Sequence, residues 1–126
     1  MSELRLDPTT REWVIISTER ARRPHDFAQT TIRPLPEEFY SSCPFCPGNE
    51  SQTPGLSLSY SDPATGKWRV RVVPNKFPAV RLEGTTERRE EHPLALSLDG
   101  VGIHEVVVES PLHNRLLGFM GDDEVF

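Results

Sequence analysis

The sequence predicts an α+β fold that consists mainly of antiparallel β-sheet with long loops. Short runs of alternating apolar and polar residues are separated by turn-forming residues, the pattern of half-buried strands. Twelve prolines in 126 residues disfavour long interior helices, because proline lacks an amide donor and clashes with the preceding helical turn. Hydrophobic residues make up 36% of the chain, so we expect it to fold, as one domain or as part of a larger one.

The first predicted element is a β-hairpin near the amino terminus. Residues 4–6 and 13–16 are apolar-rich runs of strand character. Between them lies Asp7-Pro8-Thr9-Thr10, in which aspartate and proline favour the opening of a turn. The two runs are therefore predicted to pair as adjacent strands.

A second hairpin and a later strand follow from the same pattern. Leu56, Leu58 and Tyr60 alternate before the turn segment 61–66, and the alternation resumes after it with Trp68, Val70 and Val72. Residues 102–110 are predicted to form a strand in which one face carries His104, Val106 and Val108. The inner face of that strand would therefore carry an imidazole.

Two segments are predicted to lie outside the strands. Residues 24–54 contain six prolines, which indicates an irregular loop. Near the end, Asp122-Asp123-Glu124 follows Gly121 and resembles the acidic first turn of a helix. Because a single helical turn is unstable alone, we expect the chain to be the amino-terminal portion of something longer, truncated at the start of a helix.

Charge and cysteine content restrict the function. The net charge is −5, which argues against nucleic-acid or acidic-membrane partners, since such binding is driven by phosphate neutralisation. We find no signal peptide and no apolar stretch of membrane-spanning length. Two cysteines three positions apart then favour metal thiolates in a reducing compartment over a disulfide. The prediction is a cytoplasmic protein.

Cys43-Pro44-Phe45-Cys46-Pro47-Gly48 has the form of a zinc knuckle. Two thiols lie two residues apart, and Gly48 permits the backbone curl that brings amides toward the sulfurs. Zn(II) prefers four nitrogen or sulfur ligands in tetrahedral array, so histidines must complete the set. Two packed thiols or a redox pair are the alternative interpretations.

Four histidines compete for the remaining ligand positions. His113 is the first candidate because it follows the last predicted strand on a turn, where a side chain can reach a loop. His104 is more simply a hydrogen-bonded core residue. His25 and His92 lie in polar stretches that contain proline and are most simply surface residues.

Two further segments suit a nucleotide. Arg20-Ala21-Arg22-Arg23-Pro24 is the one dense basic run, and guanidinium groups bind phosphate oxygens in bidentate fashion; a solvated loop is the alternative. Asn75 and Phe77 lie in a loop between two prolines, where they either contact a base or form a turn with a core aromatic.

Taken together and in order, these segments resemble the amino-terminal half of the galactose-1-phosphate uridylyltransferase family, within the histidine-triad-like superfamily. The resemblance covers almost the whole chain, residues 1–126. The matching segments are Asp7-Pro8 with Trp13-Val14-Ile15-Ile16, the Arg20 run, Cys43 to Glu50, Val73-Pro74-Asn75-Lys76-Phe77, and Glu105 to His113.

The resemblance implies a set of site residues. A structural zinc ion would be held by Cys43, Cys46 and His113, with a fourth ligand from the downstream half. Arg20 and Arg23 match positions that contact the nucleotide phosphates. The uridine pocket would be lined by Asn75 and Phe77, with Phe45, Val73 and Val106 as apolar walls.

The resemblance also implies a reaction. The family transfers a uridylyl group from UDP-glucose to galactose 1-phosphate through a covalent uridylyl-histidine, so the partners are a UDP-hexose and a hexose 1-phosphate, and the full-length protein is expected to be a homodimer. The nucleophile belongs to a downstream His-Pro-His motif; His92-Pro93-Leu94 lacks the second histidine. This chain alone is predicted to be inactive. The alternatives are an ADP-sugar relative and a stand-alone zinc module that binds another protein.

Overall fold

The computed structural model describes residues 2–17 and 37–125. The chain forms two compact units that are interleaved in sequence. The first unit comprises Met1–Ala28 with Phe77–His104, and the second comprises Gln29–Lys76 with Glu105–Phe126. Each unit is therefore built from two separate stretches of the chain.

The first unit contains a four-stranded antiparallel sheet. Its strands are β1 (Glu3–Leu6), β2 (Trp13–Ile16), β5 (Arg89–His92) and β6 (Ala95–Asp99), in the order β2-β1-β6-β5. Leu4 of the central strand β1 pairs with Ile15 on one side and Leu98 on the other. The predicted first hairpin is thus confirmed, and β6 covers its other edge.

The second unit contains a three-stranded antiparallel sheet in the order β3-β4-β7. Its strands are β3 (Leu58–Ser61), β4 (Trp68–Pro74) and β7 (Glu105–Val108). Directly paired residues share a face, and the pairing of Val73 with Val106 and of Arg71 with Val108 defines the inner face. Val73 is buried there, whereas Val107 on the other face is exposed.

The two hairpin turns have the same construction. In the first, Asp7 Oδ1 accepts hydrogen bonds from the amides of Thr9 at 2.8 Å and Thr10 at 3.3 Å. In the second, Asp62 Oδ1 accepts from Ala64 at 2.7 Å and Thr65 at 3.1 Å. An aspartate followed by proline therefore organises both turns through its side chain.

These bonds also favour the charged form of the first aspartate. The hydroxyl of Thr9, followed by the amides of Thr9 and Thr10, lowers the pKa of Asp7 below its ordinary value. The turn is therefore stabilised while the carboxylate is ionised.

The strand predictions succeed for both hairpins and need correction elsewhere. The strand predicted over residues 102–110 is shorter, and β7 begins only at Glu105. Strands β5 and β6 were not predicted. The β5 sequence Arg-Glu-Glu-His carries none of the apolar alternation that marks a half-buried strand, whereas β6 does alternate, with Leu96 and Leu98. The turn after Gly121 is helical over Asp122–Val125. Across the described ranges, no helix has the length and apolar character of a membrane span.

Candidate metal centre

Two cysteines and a histidine meet in the second unit. The Cys43 and Cys46 sulfurs and a ring nitrogen of His113 all lie within 4.8 Å of one another. Cys46 Sγ is 3.5 Å from His113 Nδ1, although the two residues are 67 positions apart. The structure therefore brings together the three residues that the sequence singled out as metal ligands.

The spacing of these atoms suits a tetrahedral metal ion. Zinc binds thiolate sulfur at about 2.3 Å and imidazole nitrogen at about 2.05 Å, so a tetrahedral angle places the two ligand atoms about 3.6 Å apart. The observed Cys46–His113 separation of 3.5 Å agrees with this value. Two soft sulfur donors with one imidazole are also the donor set that zinc prefers.

The knuckle that carries the cysteines is a series of tight backbone turns. The amide of Cys43 donates to the carbonyl of Tyr40 at 3.1 Å, and the amide of Cys46 donates to the carbonyl of Cys43 at 3.2 Å. Gly48 then adopts φ of +90°, which L-residues with a Cβ rarely adopt. The glycine after the second proline thus allows the chain to leave the knuckle.

Asn49 fastens this knuckle from inside. Its side-chain Nδ2 donates to the carbonyls of Cys43 at 2.8 Å, Ser41 at 3.0 Å and Tyr40 at 3.3 Å. Three backbone carbonyls therefore accept hydrogen bonds from a single amide group. The loop geometry around Cys43 therefore depends on a side chain that is not itself a ligand.

Cys46 occupies the buried side of the cluster, and Cys43 is half-buried. Burial raises the pKa of the Cys46 thiol, the amide of Tyr40 lowers it, and the neighbouring Cys43 raises it further. That amide donates to Cys46 Sγ at 3.5 Å. Amide donation of this kind stabilises a thiolate, the form that binds metal.

His113 is held in place by its backbone and by an aromatic neighbour. Its amide donates to the carbonyl of Glu38 at 2.8 Å. Its ring meets the ring of Tyr40 edge to face, with centroids 4.6 Å apart and an interplanar angle of 71°. The turn after β7 is thereby joined to the segment just before the knuckle, and Nδ1 faces the sulfur.

A link between the end of the knuckle and strand β4 completes the support. Trp68 Nε1 donates to Glu50 Oε1 at 2.9 Å. The amide of Glu50 itself, the indole of Trp68 and the amide of Gly48 lower the pKa of the Glu50 carboxyl, in that order. The carboxylate is therefore charged at neutral pH and attaches the knuckle to the sheet.

A cavity of about 230 Å³ lies beside the cluster. All three cluster residues line it, together with Phe45 and Val108. The cavity gives space beside the cluster for a further donor or a ligand.

The other residues singled out from the sequence have different settings. Val73 and Val106 are paired across β4 and β7 on the inner face. Asn75 is half-buried, and Phe77, in the first unit, is 58% exposed. Arg20 and Arg23 lie outside the described residues.

The remaining histidines separate as expected. His104 is not a member of the cluster: its Nδ1 accepts a hydrogen bond from the amide of Ala79 at 2.8 Å. This confirms its interpretation as a hydrogen-bonded histidine. His92 is exposed at the end of β5, also as expected, and His25 lies outside the described residues.

Sequence reasoning missed three residues that build the site. These are Tyr40, Asn49 and Glu50, which respectively contact His113, fasten the knuckle and attach it to β4. The available signal was an asparagine and a glutamate directly after the Pro-Gly that ends the knuckle. Tyr40 gives no local signal, because its partner is far away in sequence.

The fold and the cluster define a β-sheet protein in which a Cys-x-x-Cys pair and a histidine could hold a metal ion. The family model described as "Galactose-1-phosphate uridyl transferase, N-terminal domain" matches residues 1–125. The chain belongs to this family, which confirms the resemblance stated from its motifs. Within the family, the relatives are nucleotidyltransferases or phosphorylases.

Two curated relatives illustrate the range. The chain is 41% identical over 116 residues to an ADP-glucose phosphorylase of Arabidopsis thaliana, which covers 89% of this chain and 32% of the relative. It is 28% identical over 114 residues to a galactose-1-phosphate uridylyltransferase of Haemophilus influenzae, covering 90% of this chain and 31% of the relative. The chain thus spans about a third of the length of these relatives.

Two solved structures are similar as well. One is an ADP-glucose phosphorylase from Arabidopsis thaliana with bound ADP-glucose, at 32% identity and a TM-score of 0.47, covering 95% of this chain and 32% of that one. The other is a uridylyltransferase, at 31% identity and a TM-score of 0.48, covering 90% of this chain and 26% of that one.

Proposed function

We propose that the chain is the metal-bearing, nucleotide-contacting part of an enzyme that transfers a nucleotidyl group from a nucleotide sugar. The observation that carries the proposal is the meeting of Cys43, Cys46 and His113 in a chain that the family model matches over residues 1–125. A stand-alone zinc module would show the cluster, but it would not account for a family match along the whole chain.

In this proposal the cluster holds a structural zinc ion. Cys43 and Cys46 come from the knuckle and His113 from the turn after β7, so a shared ion ties the two segments together. Zinc supplies fixed tetrahedral bonds and no redox chemistry. With these two segments joined, the knuckle and the turn after β7 would be held in fixed positions beside the second sheet.

The residues proposed to contact the nucleotide are those that the family resemblance implies. Val73 and Val106 are adjacent on the inner face of the second sheet, and Phe45 lines the cavity beside the cluster. These three side chains would form apolar walls for a base, while Asn75 would supply hydrogen bonds and Phe77 an aromatic contact. Arg20 and Arg23 are proposed to bind the phosphates through bidentate guanidinium contacts.

Two donors are candidates. The motifs predict UDP-glucose with a hexose 1-phosphate as acceptor. The second candidate is ADP-glucose, and it is favoured by the 41% identity to an ADP-glucose phosphorylase, against 28% to a uridylyltransferase. The base is chosen by few pocket positions, so both donors require a direct comparison.

The covalent step is proposed to use a histidine outside residues 1–126. That histidine would attack the α-phosphorus, release the sugar phosphate and pass the nucleotidyl group to the acceptor, which divides the transfer into two easier displacements. The homodimer and the cytoplasmic location remain predictions of the same proposal.

Calorimetric titration of UDP-glucose and ADP-glucose into a zinc-loaded protein that continues past Phe126 tests the proposal. Saturable binding of either donor supports it, and the tighter donor identifies the base. Replacement of Arg20 or Arg23 by glutamine should weaken binding by roughly 1.5 to 3 kcal/mol, the range for hydrogen bonds to charged groups. Arg88→Gln, at the residue just before β5 in the first unit, is the control. Binding of neither donor would contradict the proposal.

A further inference from the structure

Arg71 is the buried charge of the second unit. Its residue surface is 4% exposed, although a guanidinium is almost never fully buried unless it is paired. It forms no ion pair with any carboxylate in the described part of the chain. The Glu50 carboxylate interacts with this charge at longer range, since Arg71 is among the causes that lower the pKa of Glu50. Burial of a charge without a direct ion pair is still expensive.

The hydrogen bonds of Arg71 are also incomplete. Nη2 donates to Thr53 Oγ1 at 3.4 Å, which is beyond the usual length of such bonds. Nη1 is buried and has no hydrogen-bond partner among the residues that the structure describes. Each buried donor left unsatisfied costs roughly 1 to 3 kcal/mol, and more when it is charged.

The same arginine lines a pocket of about 650 Å³. Ser59, the direct cross-strand partner of Arg71 on β3, lies on the same face and also lines it. Further hydroxyls come from Thr53 and from two exposed serines, Ser51 and Ser61. Arg71 and these hydroxyl-bearing residues therefore line one pocket, and all of them carry donors that an oxyanion can accept from.

The remaining walls restrict the charge of the ligand. Glu50 lines the pocket, and its carboxylate is already bonded to the Trp68 indole. That negative charge repels a dianion such as a phosphate monoester more than a monoanion. The Trp68 ring, whose centroid is 5.5 Å from Arg71 Cζ, adds a flat apolar wall. A planar, singly charged group fits these conditions best.

We propose that the Arg71 pocket binds a carboxylate group, with Arg71 as the charged donor and Ser59 as a supporting hydroxyl. A carboxylate oxygen can accept a charge-assisted hydrogen bond from a guanidinium. The group belongs to a free small carboxylate or to an acidic side chain of a longer form of this protein, and the experiment below separates these two sources.

The first test titrates sodium acetate into the isotope-labelled chain at constant ionic strength while NMR follows the Arg71 side-chain resonances and the Ser59 amide. We expect a saturable shift with a millimolar dissociation constant, and phosphate should bind several-fold more weakly than acetate. Arg71→Gln should abolish the shift, whereas Arg69→Gln, at the next arginine along β4, should preserve it.

Ser59→Ala tests the same pocket independently, in case Arg71→Gln fails to fold. It removes only a hydroxyl group. It should weaken acetate binding several-fold and leave the spectrum otherwise unchanged. Wild-type Arg71 resonances that do not move with acetate, or a shift that survives Arg71→Gln, would overturn the proposal.

The second test repeats the titration in a protein that continues past Phe126. An acetate-dependent shift at Arg71 identifies a free carboxylate as the ligand. A resonance already at its bound position and insensitive to acetate identifies a carboxylate of the protein itself. Resonances at the free position that ignore acetate would overturn the proposal, and none of these outcomes depends on nucleotide-sugar binding.

Discussion

Cys46 Sγ and His113 Nδ1 lie 3.5 Å apart, although the two residues are separated by 67 positions in the sequence. The cysteine belongs to a loop built by local turns, and the histidine belongs to the turn after β7. The contact exists because the His113 amide bonds to the carbonyl of Glu38, just before the knuckle. Backbone pairing thus brings the two ligand atoms together, and the following predictions start from this arrangement.

Removal of a cluster ligand should remove the metal. We expect near-stoichiometric zinc in the refolded chain, and Cys43→Ser or His113→Ala should lose most of it, because only two of the three protein donors would remain. Metal analysis after dialysis measures the content. His92→Ala, at an exposed histidine, should retain the metal, and full zinc content in Cys43→Ser would refute the assignment.

Loss of the Asn49 amide should loosen the knuckle without touching a ligand. Asn49→Ala leaves three carbonyls without their shared donor, so the free energy of unfolding should fall by roughly 1 to 3 kcal/mol. Zinc affinity, measured by competition with a chelator, should fall with it. Gln52→Ala, at an exposed neighbour, should change neither; an unchanged chelator titration for Asn49→Ala would contradict this role.

The indole of Trp68 should contribute measurably to stability. Trp68→Phe keeps an aromatic ring and removes the donor to Glu50, so unfolding in urea should require roughly 1 to 2 kcal/mol less free energy. Combined with Glu50→Ala, which removes the acceptor, the loss should be less than additive, since both changes remove the same bond. Strict additivity would show that the bond is not made in solution.

Glu50 should give the protein part of its acid sensitivity. Its pKa is lowered in the folded chain from an ordinary value of 4.5, so the carboxylate stabilises the fold fully above that value. This contribution is lost as the pH falls through the lower, folded-state pKa. Glu50→Gln should therefore flatten the decline of stability below pH 4.5 in urea melts, whereas Glu87→Gln, at an exposed glutamate, should leave its slope intact.

The two hairpin turns predict that introducing a glycine in one should stabilise the fold and that removing a glycine from the other should destabilise it. Arg11 has φ of +63° and Gly66 has φ of +68° at the same point of their turns, and side chains other than glycine are strained there. Arg11→Gly should stabilise the chain by roughly 0.5 to 1 kcal/mol, and Gly66→Ala should cost roughly 1 to 2 kcal/mol. Since a Cβ at Gly66 meets nothing within 4 Å, thermal melts would report backbone strain alone.

Local chemistry made much of the fold predictable from the sequence. Asp7-Pro8 and Asp62-Pro63 each set a turn through their own side chains, so both hairpins followed from short windows. Strand β5 was missed because its charged residues pair through backbone bonds with β6, and no apolar alternation records that pairing. Its existence depends on a neighbour rather than on its own composition.

The candidate site shows the same division. Cys43 and Cys46 were recognisable from spacing, and His113 from its place after a strand together with the family resemblance. Tyr40 and Glu50 were not, because their roles arise from contacts with His113 and Trp68 that form only after folding. The Nη1 donor of Arg71, which has no partner among residues 2–17 and 37–125, is likewise a property of packing, since the sequence shows only an arginine within a strand.

The interleaving of the two units sets an order of events on the ribosome. Residues 77–104 belong to the first unit and are synthesised between the knuckle and His113. Cys46 therefore leaves the exit tunnel 67 residues ahead of His113. The proposed metal ion can therefore bind all three donors only after His113 has left the exit tunnel, and both thiols are open to oxidation until then.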